Sequence, residues 1–314
     1  MTDNVSFFIP AYNCAETVEA AVDSIMESNF EDGDEVVIVN DASTDDTAEV
    51  LKKLQKKYAD KKLIVLCNEV NMGAPGTRNK AIEHCRNDLL FCLDADNALE
   101  KRSIKPLKAF MRKHKADAAV FGEIRYFLNG TPKEQTTHVW RYKEPLYEAA
   151  DCLAGLKFPG ASGNYLFTKE SWHKIRGYLP HLLSSDTWAF GFRQLMSGAK
   201  MVVLKDTYYF HRYGTNSNWV RHGGENISVR IFGVLAPYID QIKDADVRYM
   251  TGRGRHCWFE RLEERPIRLK TKADFAREKK IAEFKAKAKK NFFKTLAKLT
   301  PVKSWRKRLR GFYK

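Results

Sequence analysis

No run of apolar residues in this 314-residue chain approaches the ~18–20 that a membrane-spanning helix requires. The start offers no export leader, since Met1-Thr2-Asp3-Asn4 lacks basic charge and Val5–Ile9 is too short for the apolar core of a signal peptide. The six cysteines (Cys14, Cys67, Cys85, Cys92, Cys152 and Cys257) fall at no zinc-ligand spacing. Several lie in apolar runs, where buried thiols are common, so reduced thiols in a cytoplasmic protein are expected. No glycine-rich loop continues into Gly-Lys-Ser/Thr, which excludes a Walker A phosphate cradle. Acidic residues are scarce in one place only. From Pro266 to Lys314 there are eighteen Lys/Arg against three acids (Asp274, Glu278 and Glu283), and this segment accounts for the whole net charge of +15. The first 265 residues are balanced. That argues against a nucleic-acid-binding fold throughout and for a separate basic surface element.

Hydrophobic residues make up 44% of the chain and aromatics 12%, enough for the core of one large α/β domain or two smaller ones. Val5–Ile9 is a buried-strand pattern stopped by Pro10, followed by a helical pattern through Val18, Ala21, Val22 and Ile25. Glu35–Val39, Leu63–Leu66 and Asp88–Leu93 repeat the strand pattern, and helices are expected after each of the first two. Leu63–Leu66 leads to its helix, around Thr77–Arg86, through the turn cluster Asn71-Met72-Gly73-Ala74-Pro75-Gly76. Strands alternating with helices predict an α/β fold with a mostly parallel sheet, whose ligands bind beyond the carboxyl ends of the strands. Pro10–Tyr12, Asn40–Asp41 and Asp94–Asp96 all fall at such ends, so three segments converge on one crevice. Further strands are expected at Ala118–Phe121 and Met201–Leu204. Residues 123–170 mix aromatics, Gly and Pro, as suits a second substrate pocket.

Asp94 and Asp96 flank a small residue, Ala95, after a strand. In an extended backbone positions i and i+2 point the same way, so both carboxylates would address one hard cation, Mg²⁺ or Mn²⁺, or its waters. A polar turn with solvated carboxylates is the plainer reading of that tripeptide alone; its place beside the other two loops favours the cation. Asp41 suits acceptance of a base N–H, with Tyr12 against the base face; an Asx turn and a packed aromatic are the alternatives. Gly73 and Gly76 allow close backbone approach of a phosphate to a helix start, and Arg78 would add a charge-assisted contact.

These residues resemble the inverting family 2 glycosyltransferases of the GT-A fold. The text that matches is Ser6-Phe7-Phe8-Ile9-Pro10-Ala11-Tyr12-Asn13, then Val37 through Thr47, then Asn71-x-Gly73 leading to Arg78-Asn79, then Leu93-Asp94-Ala95-Asp96. The match is specific over roughly residues 4–100 and looser to about 218. The resemblance implies a nucleotide-diphosphate-sugar donor, with UDP the nucleotide that Asp41 suits best. It implies that Pro10, Ala11, Tyr12 and Asp41 bind the nucleoside, Asp94 and Ala95 the ribose or donor sugar, and Asp96 the metal. Gly163–Glu170, Ile175–Tyr178 and Ser185-Asp186 look like the family's acceptor-side block. Ser185 stands where the family carries a first acid, leaving Asp186 as the general base; a helix N-cap is the alternative reading of Asp186. Tyr208–Ser217 resembles a Tyr-Arg-x-His-x-x-Ser stretch imperfectly, since His211 precedes Arg212. His211 is then a candidate third metal ligand, Arg212 a diphosphate contact, and a packed histidine the alternative. The Gln-x-x-Arg-Trp signature of processive synthases is absent, so one sugar per encounter is expected.

The basic segment reads as a helix from Ala273 to Leu299, with Ile281, Phe284, Ala288, Phe292, Leu296 and Leu299 at helical spacing among lysines, and Pro301 after it. An anionic membrane surface at the cytoplasmic face is the expected partner, encouraged by Phe284, Phe292, Phe293 and Trp305; nucleic acid or plain solvent are the alternatives. The expected organisation is a nucleotide-sugar half over 1–115, an acceptor half of the same domain over 116–262, and the tail over 263–314. The acceptor is expected to be a glycan or lipid-linked glycan. Two competing functions remain: a sugar nucleotidyltransferase, which lacks support because Pro10-Ala11-Tyr12-Asn13 replaces its Gly-rich basic loop, and an inactive glycan- or membrane-binding protein, suggested by Ser185.

Overall fold

The computed structural model describes residues 3–128, 136–142, 146–149, 159–213, 233–244 and 269–299. Cys152, Cys257, Trp305, Pro301 and the Gly214–Ser217 end of the aromatic stretch lie outside the described residues, as do 263–268 and 300–314 of the tail. Cys14, Cys67, Cys85 and Cys92 are free thiols.

The first half alternates as expected: β1 (Val5–Ala11), α1 (Val18–Met26), β2 (Glu35–Asn40), α2 (Thr47–Lys57), β3 (Leu63–Cys67), α3 (Gly73–His84) and β4 (Leu89–Cys92). β1 and β2 are apolar and buried, as strands covered on both faces must be. The order β3-β2-β1-β4 is parallel throughout. β1 does not stop at Pro10. It runs to Ala11, with Pro10 in register with Val39. The proline costs no ladder bond. Ala11 C=O faces β2, where it accepts the Asp41 N–H, and Phe8 C=O faces β4, where it accepts the Leu93 N–H. By alternation the position of Pro10 faces β4's side, beyond the last β4 pairing at Phe8.

The second half is built differently. β5 (Ala98–Leu99), α4 (Ile104–Lys113), β6 (Ala118–Phe127), β7 (Thr136–Arg141) and β8 (Leu146–Tyr147) precede β9 (Leu166–Thr168). Then come α5 (Lys169–Lys174), α6 (Asp186–Met196), β10 (Met201–Arg212) and α7 (Lys272–Leu299). The sheet continues β4-β9-β6-β10-β5, with β9 antiparallel to both neighbours and β10 parallel to β6. β6 and β10 are both longer than their sequence patterns suggested. β10 carries a register shift between Leu204 and Tyr208, with Asp206 in the left-handed region, which splits its apolar pattern in two.

α7 covers the expected span. Its start is a capping box: Thr271 Oγ1 accepts the Asp274 N–H and Asp274 Oδ2 accepts the Thr271 N–H. No helix among the described residues is long and apolar enough to cross a membrane.

Candidate functional site

The loops after β1 and β2 are laced together at the carboxyl edge of the sheet. Asn13 N–H donates to Ser43 Oγ (3.0 Å), and Asn13 Oδ1 accepts the Thr44 N–H (2.8 Å). Cys14 N–H donates to Thr47 Oγ1 (2.9 Å) and Ala15 N–H to Asp45 Oδ2 (3.1 Å). Asn13 and Ala42 both adopt left-handed backbone, at φ 47° and 55°, a strain that persists only where surroundings enforce it. Tyr12, just past Pro10 and Ala11, stands 39% exposed at the rim.

Asp41 is buried and its carboxylate makes no Asx turn; the Ser43 N–H is instead bonded by Asn40 Oδ1, three residues before it. Asp41 Oδ1 instead accepts from Asn68 Nδ2 (2.6 Å) and from the Met72 N–H (2.8 Å), tying β2's loop to the turn before α3. Gly73 opens α3 at φ +71°, a backbone that only glycine adopts without cost, and its N–H donates to Asn71 Oδ1.

Arg78 projects from α3 into the interior. Its Nη2 lies 2.7 Å from Asp94 Oδ1 and its Nη1 bonds Asp186 Oδ2, so one guanidinium joins the β4 loop to the start of α6. Arg78 and Asp186 are both nearly inaccessible to solvent. Arg78, expected beside the phosphates, here bonds two carboxylates. Burial alone would weaken its proton affinity, yet Asp186 and Asp94 hold it well above the ordinary value. For Asp94, burial raises the pKa, but Arg78 and the Asn164 amide outweigh it and the carboxyl lies below its usual range. For Asp186, burial prevails over Arg78 and the pKa is raised. The N-cap of α6 is Ser185; Asp186 is the first helical residue.

Asp94 and Asp96 divide as their surroundings dictate. Asp94 Oδ2 accepts from Asn164 Nδ2 (2.9 Å), while Asn164 Oδ1 accepts the Asp94 N–H (2.9 Å). Both Asp94 oxygens are therefore occupied. No ion pair or hydrogen bond from another described side chain reaches the Asp96 carboxylate. Burial, and then the nearby Asp94, push its pKa up to about 7. A desolvated oxygen donor with no direct ion-pair partner fits a hard cation. Among the described residues no group of three or more His, Cys, Asp or Glu converges to hold a metal, so a cation at Asp96 would take most of its ligands from a bound diphosphate and water.

His211 and Arg212, at the end of β10, reach the same turn through Asn97. Asn97 Nδ2 lies 3.2 Å from His211 Nδ1, and Asn97 Oδ1 accepts the Arg212 N–H (2.9 Å). Arg212 Nε donates to the backbone oxygen of Asp96 (3.3 Å), and its guanidinium lies over the Phe127 ring. Burial lowers the His211 pKa, favouring the neutral ring.

Three asparagines hold the site together through partners far along the chain. Asn164 is fully buried and locks Asp94. It follows Gly163, at φ +80°, where an added Cβ would sit 2.6 Å from the Thr187 methyl beside Asp186. Asn97 joins β10 to the acidic turn. Asn79 Oδ1 accepts the Tyr178 N–H (2.8 Å) and Asn79 Nδ2 donates to Tyr178 O (2.9 Å), so the helix that aims Arg78 also pins the segment leading to Asp186. In the sequence Asn79 stands beside Arg78, Asn97 closes the acidic segment and Asn164 lies in the Gly163–Glu170 block, but none announces these partners.

The sequence profile described as Glycosyl transferase family 2 matches residues 6–176. A hyaluronan synthase of Pasteurella multocida is 36% identical over 231 residues, 73% of this chain and 22% of that protein. A poly(ribitol-phosphate) beta-glucosyltransferase of Bacillus spizizenii is 23% identical over 285 residues, 85% of this chain and 42% of its own. The chain thus spans less than half the length of these curated relatives. Among solved structures, Staphylococcus aureus TarS 1–349 in complex with UDP-GlcNAc superposes with TM-score 0.62 at 19% identity, over 79% of this chain and 70% of that one. The Pyrobaculum calidifontis mannosyltransferase PcManGT, in complex with GDP-Man and Mn²⁺, gives TM-score 0.53 at 18% identity, over 76% and 65%. Both likenesses bear on the fold.

Proposed function

Because the chain belongs to glycosyl transferase family 2, we propose that it moves one sugar, with inversion, from a nucleotide diphosphate to a glycan or lipid-linked glycan in surface polysaccharide synthesis. The observation that carries this reading is the convergence at one sheet edge of Tyr12, Asp41 and the Asp94–Asp96 turn, with Arg78 linking that turn to Asp186. UDP is the nucleotide proposed, since Asp41 suits a uracil N–H and TarS, on the same fold, is seen with UDP-GlcNAc.

In this reading Pro10, Ala11, Tyr12 and Asp41 hold the nucleoside. Gly73, at the positive end of α3, faces the phosphates. Asp94 and Ala95 meet the ribose or donor sugar, with Asn164 fixing Asp94. Asp96 would hold Mn²⁺ or Mg²⁺, which when bound supplies positive charge to the departing diphosphate. His211 supports that turn through Asn97. Asp186 takes the proton from the acceptor hydroxyl as its oxygen attacks the anomeric carbon opposite the diphosphate. A raised pKa makes a carboxylate a better base, provided that it stays ionised, and Arg78 works to keep it so. Residues 1–115 form the donor half, 116–262 the acceptor half, and 263–314 a basic tail.

We assign the tail to the anionic cytoplasmic membrane surface. Phe284 is 73% exposed and Phe292 62%, on a helix otherwise rich in lysine.

The test is a donor panel of UDP-, GDP- and dTDP-sugars with Mn²⁺ or Mg²⁺, read by thermal shift and by release of nucleoside diphosphate. One donor should shift the melting temperature and be turned over. If none does either, the transferase reading is wrong. Asp186→Asn should keep the donor shift and lose transfer.

A further inference from the structure

Three rings at the second half of the sheet have no role in the donor site, and they form a row with His211, which does. Tyr126 of β6 is in register with His138 of β7 on one side and His211 of β10 on the other. Register partners share a face, so these side chains form one row across three strands. Tyr126 and His138 are stacked, with centroids 4.3 Å apart and planes 6° apart. His211 meets the edge of Tyr126 at 5.1 Å, and Tyr213 lies across both Tyr126 (6.4 Å) and His138 (5.7 Å). The row is not core: His138 is exposed and the other three are half-buried. Its inner end joins the candidate site, because His211 contacts Asn97, the neighbour of Asp96. Strands ~4.8 Å apart put His138 roughly 10 Å outward from His211.

We infer that this row is the acceptor subsite and that it takes a chain of pyranose rings. The assignment rests on the transferase reading above. Flat aromatic faces pack against the C–H faces of sugar rings, and a row that starts beside the acidic turn would lead the acceptor's terminal hydroxyl toward the donor. A polyol phosphate has no ring face and calls for cations. The arginines of these strands stand at positions of the opposite parity: Arg125 and Arg141 pair with Glu123, and Arg212 lies over Phe127. None is on the Tyr126 face.

The experiment uses the whole chain and two probes, chitotetraose and poly(ribitol phosphate), followed by saturation-transfer NMR, with UDP binding measured in parallel by thermal shift. Chitotetraose should bind the parent chain. His138→Ala, at the exposed end, and Tyr126→Ala should each weaken it roughly fivefold while UDP binding is unchanged, and Tyr126→Phe should restore it. UDP binding without chitotetraose binding overturns the subsite and leaves the donor reading intact. Chitotetraose binding that neither alanine variant weakens also overturns it. Binding of poly(ribitol phosphate) that is lost in Tyr126→Ala overturns the pyranose assignment. Absence of chitotetraose binding together with failure of every donor in the UDP, GDP and dTDP panel removes the transferase reading and the subsite together.

Discussion

Replacing Arg78 with methionine tests the keystone of the site. Methionine keeps much of the buried volume, so the loss is one of charge and hydrogen bonds more than of packing. Two carboxylates, Asp94 and Asp186, would then face each other across the gap with no counter-charge, Asp186 in a site almost closed to solvent. Breaking a buried ion pair by removing one partner costs about 3–5 kcal/mol, and here two partners are orphaned. At about 2–4 °C per kcal/mol, the melting temperature should fall by roughly 6–20 °C at neutral pH. The pH dependence sharpens the test. Without Arg78, burial raises the folded-state pKa of Asp186 further, and that of Asp94 with it, above the unfolded value of about 3.9. The native state then binds more protons than the unfolded state, so stability falls as pH rises and the deficit shrinks on acidification. Thermal melts of parent and variant at about pH 5 and pH 8 would show this. A deficit under about 1 kcal/mol, or one of equal size at both values, would refute the claim that Arg78 neutralises a buried carboxylate pair. Arg78→Lys should recover part of the loss, since one ammonium cannot reach both acids in a fork.

Asp96, with its pKa pushed up to about 7 in the metal-free chain, should contribute stability that is full at acid pH and lost as pH rises through 7. Asp96→Asn should flatten that part of the stability–pH curve, measured by urea midpoints; an unchanged slope would count against the assignment. Asn164→Ala should cost about 2–3 kcal/mol in the same assay, because it strips partners from Asp94 and Asn97, and it should weaken the donor-induced thermal shift. The tail should carry the chain into sedimenting vesicles containing anionic lipid and not into neutral ones; equal binding to both, or none, removes the membrane assignment.

The donor half was legible because its elements are local. Each βα unit announces itself by period, and the order of β1 to β4 follows from short crossovers. The rest is non-local. Arg78 meets Asp94 and Asp186 from distant points of the chain, and nothing in its neighbours' spelling distinguishes a phosphate contact from a carboxylate bridge. β9 is three residues long, too short for any period to register. β10 was legible only as two fragments, because the bulge at Asp206 interrupts its alternation. Asn79, Asn97 and Asn164 act by side-chain hydrogen bonds to residues far along the chain. A single asparagine in a loop carries no pattern.

The placement of β9 also sets a schedule. While the chain emerges from the ribosome, β1 to β4 can zip up from contiguous text, but the far edge of β4, Leu89–Cys92, has no neighbour until Leu166–Thr168 has been made. An apolar strand edge left bare over that interval invites pairing with other nascent chains. The same three residues then bind the sheet's two halves, since among the described strands β9 alone pairs with both β4 and β6. Translation speed and chaperone access between those two points would therefore govern the yield of assembled protein, even though neither touches the reaction it performs.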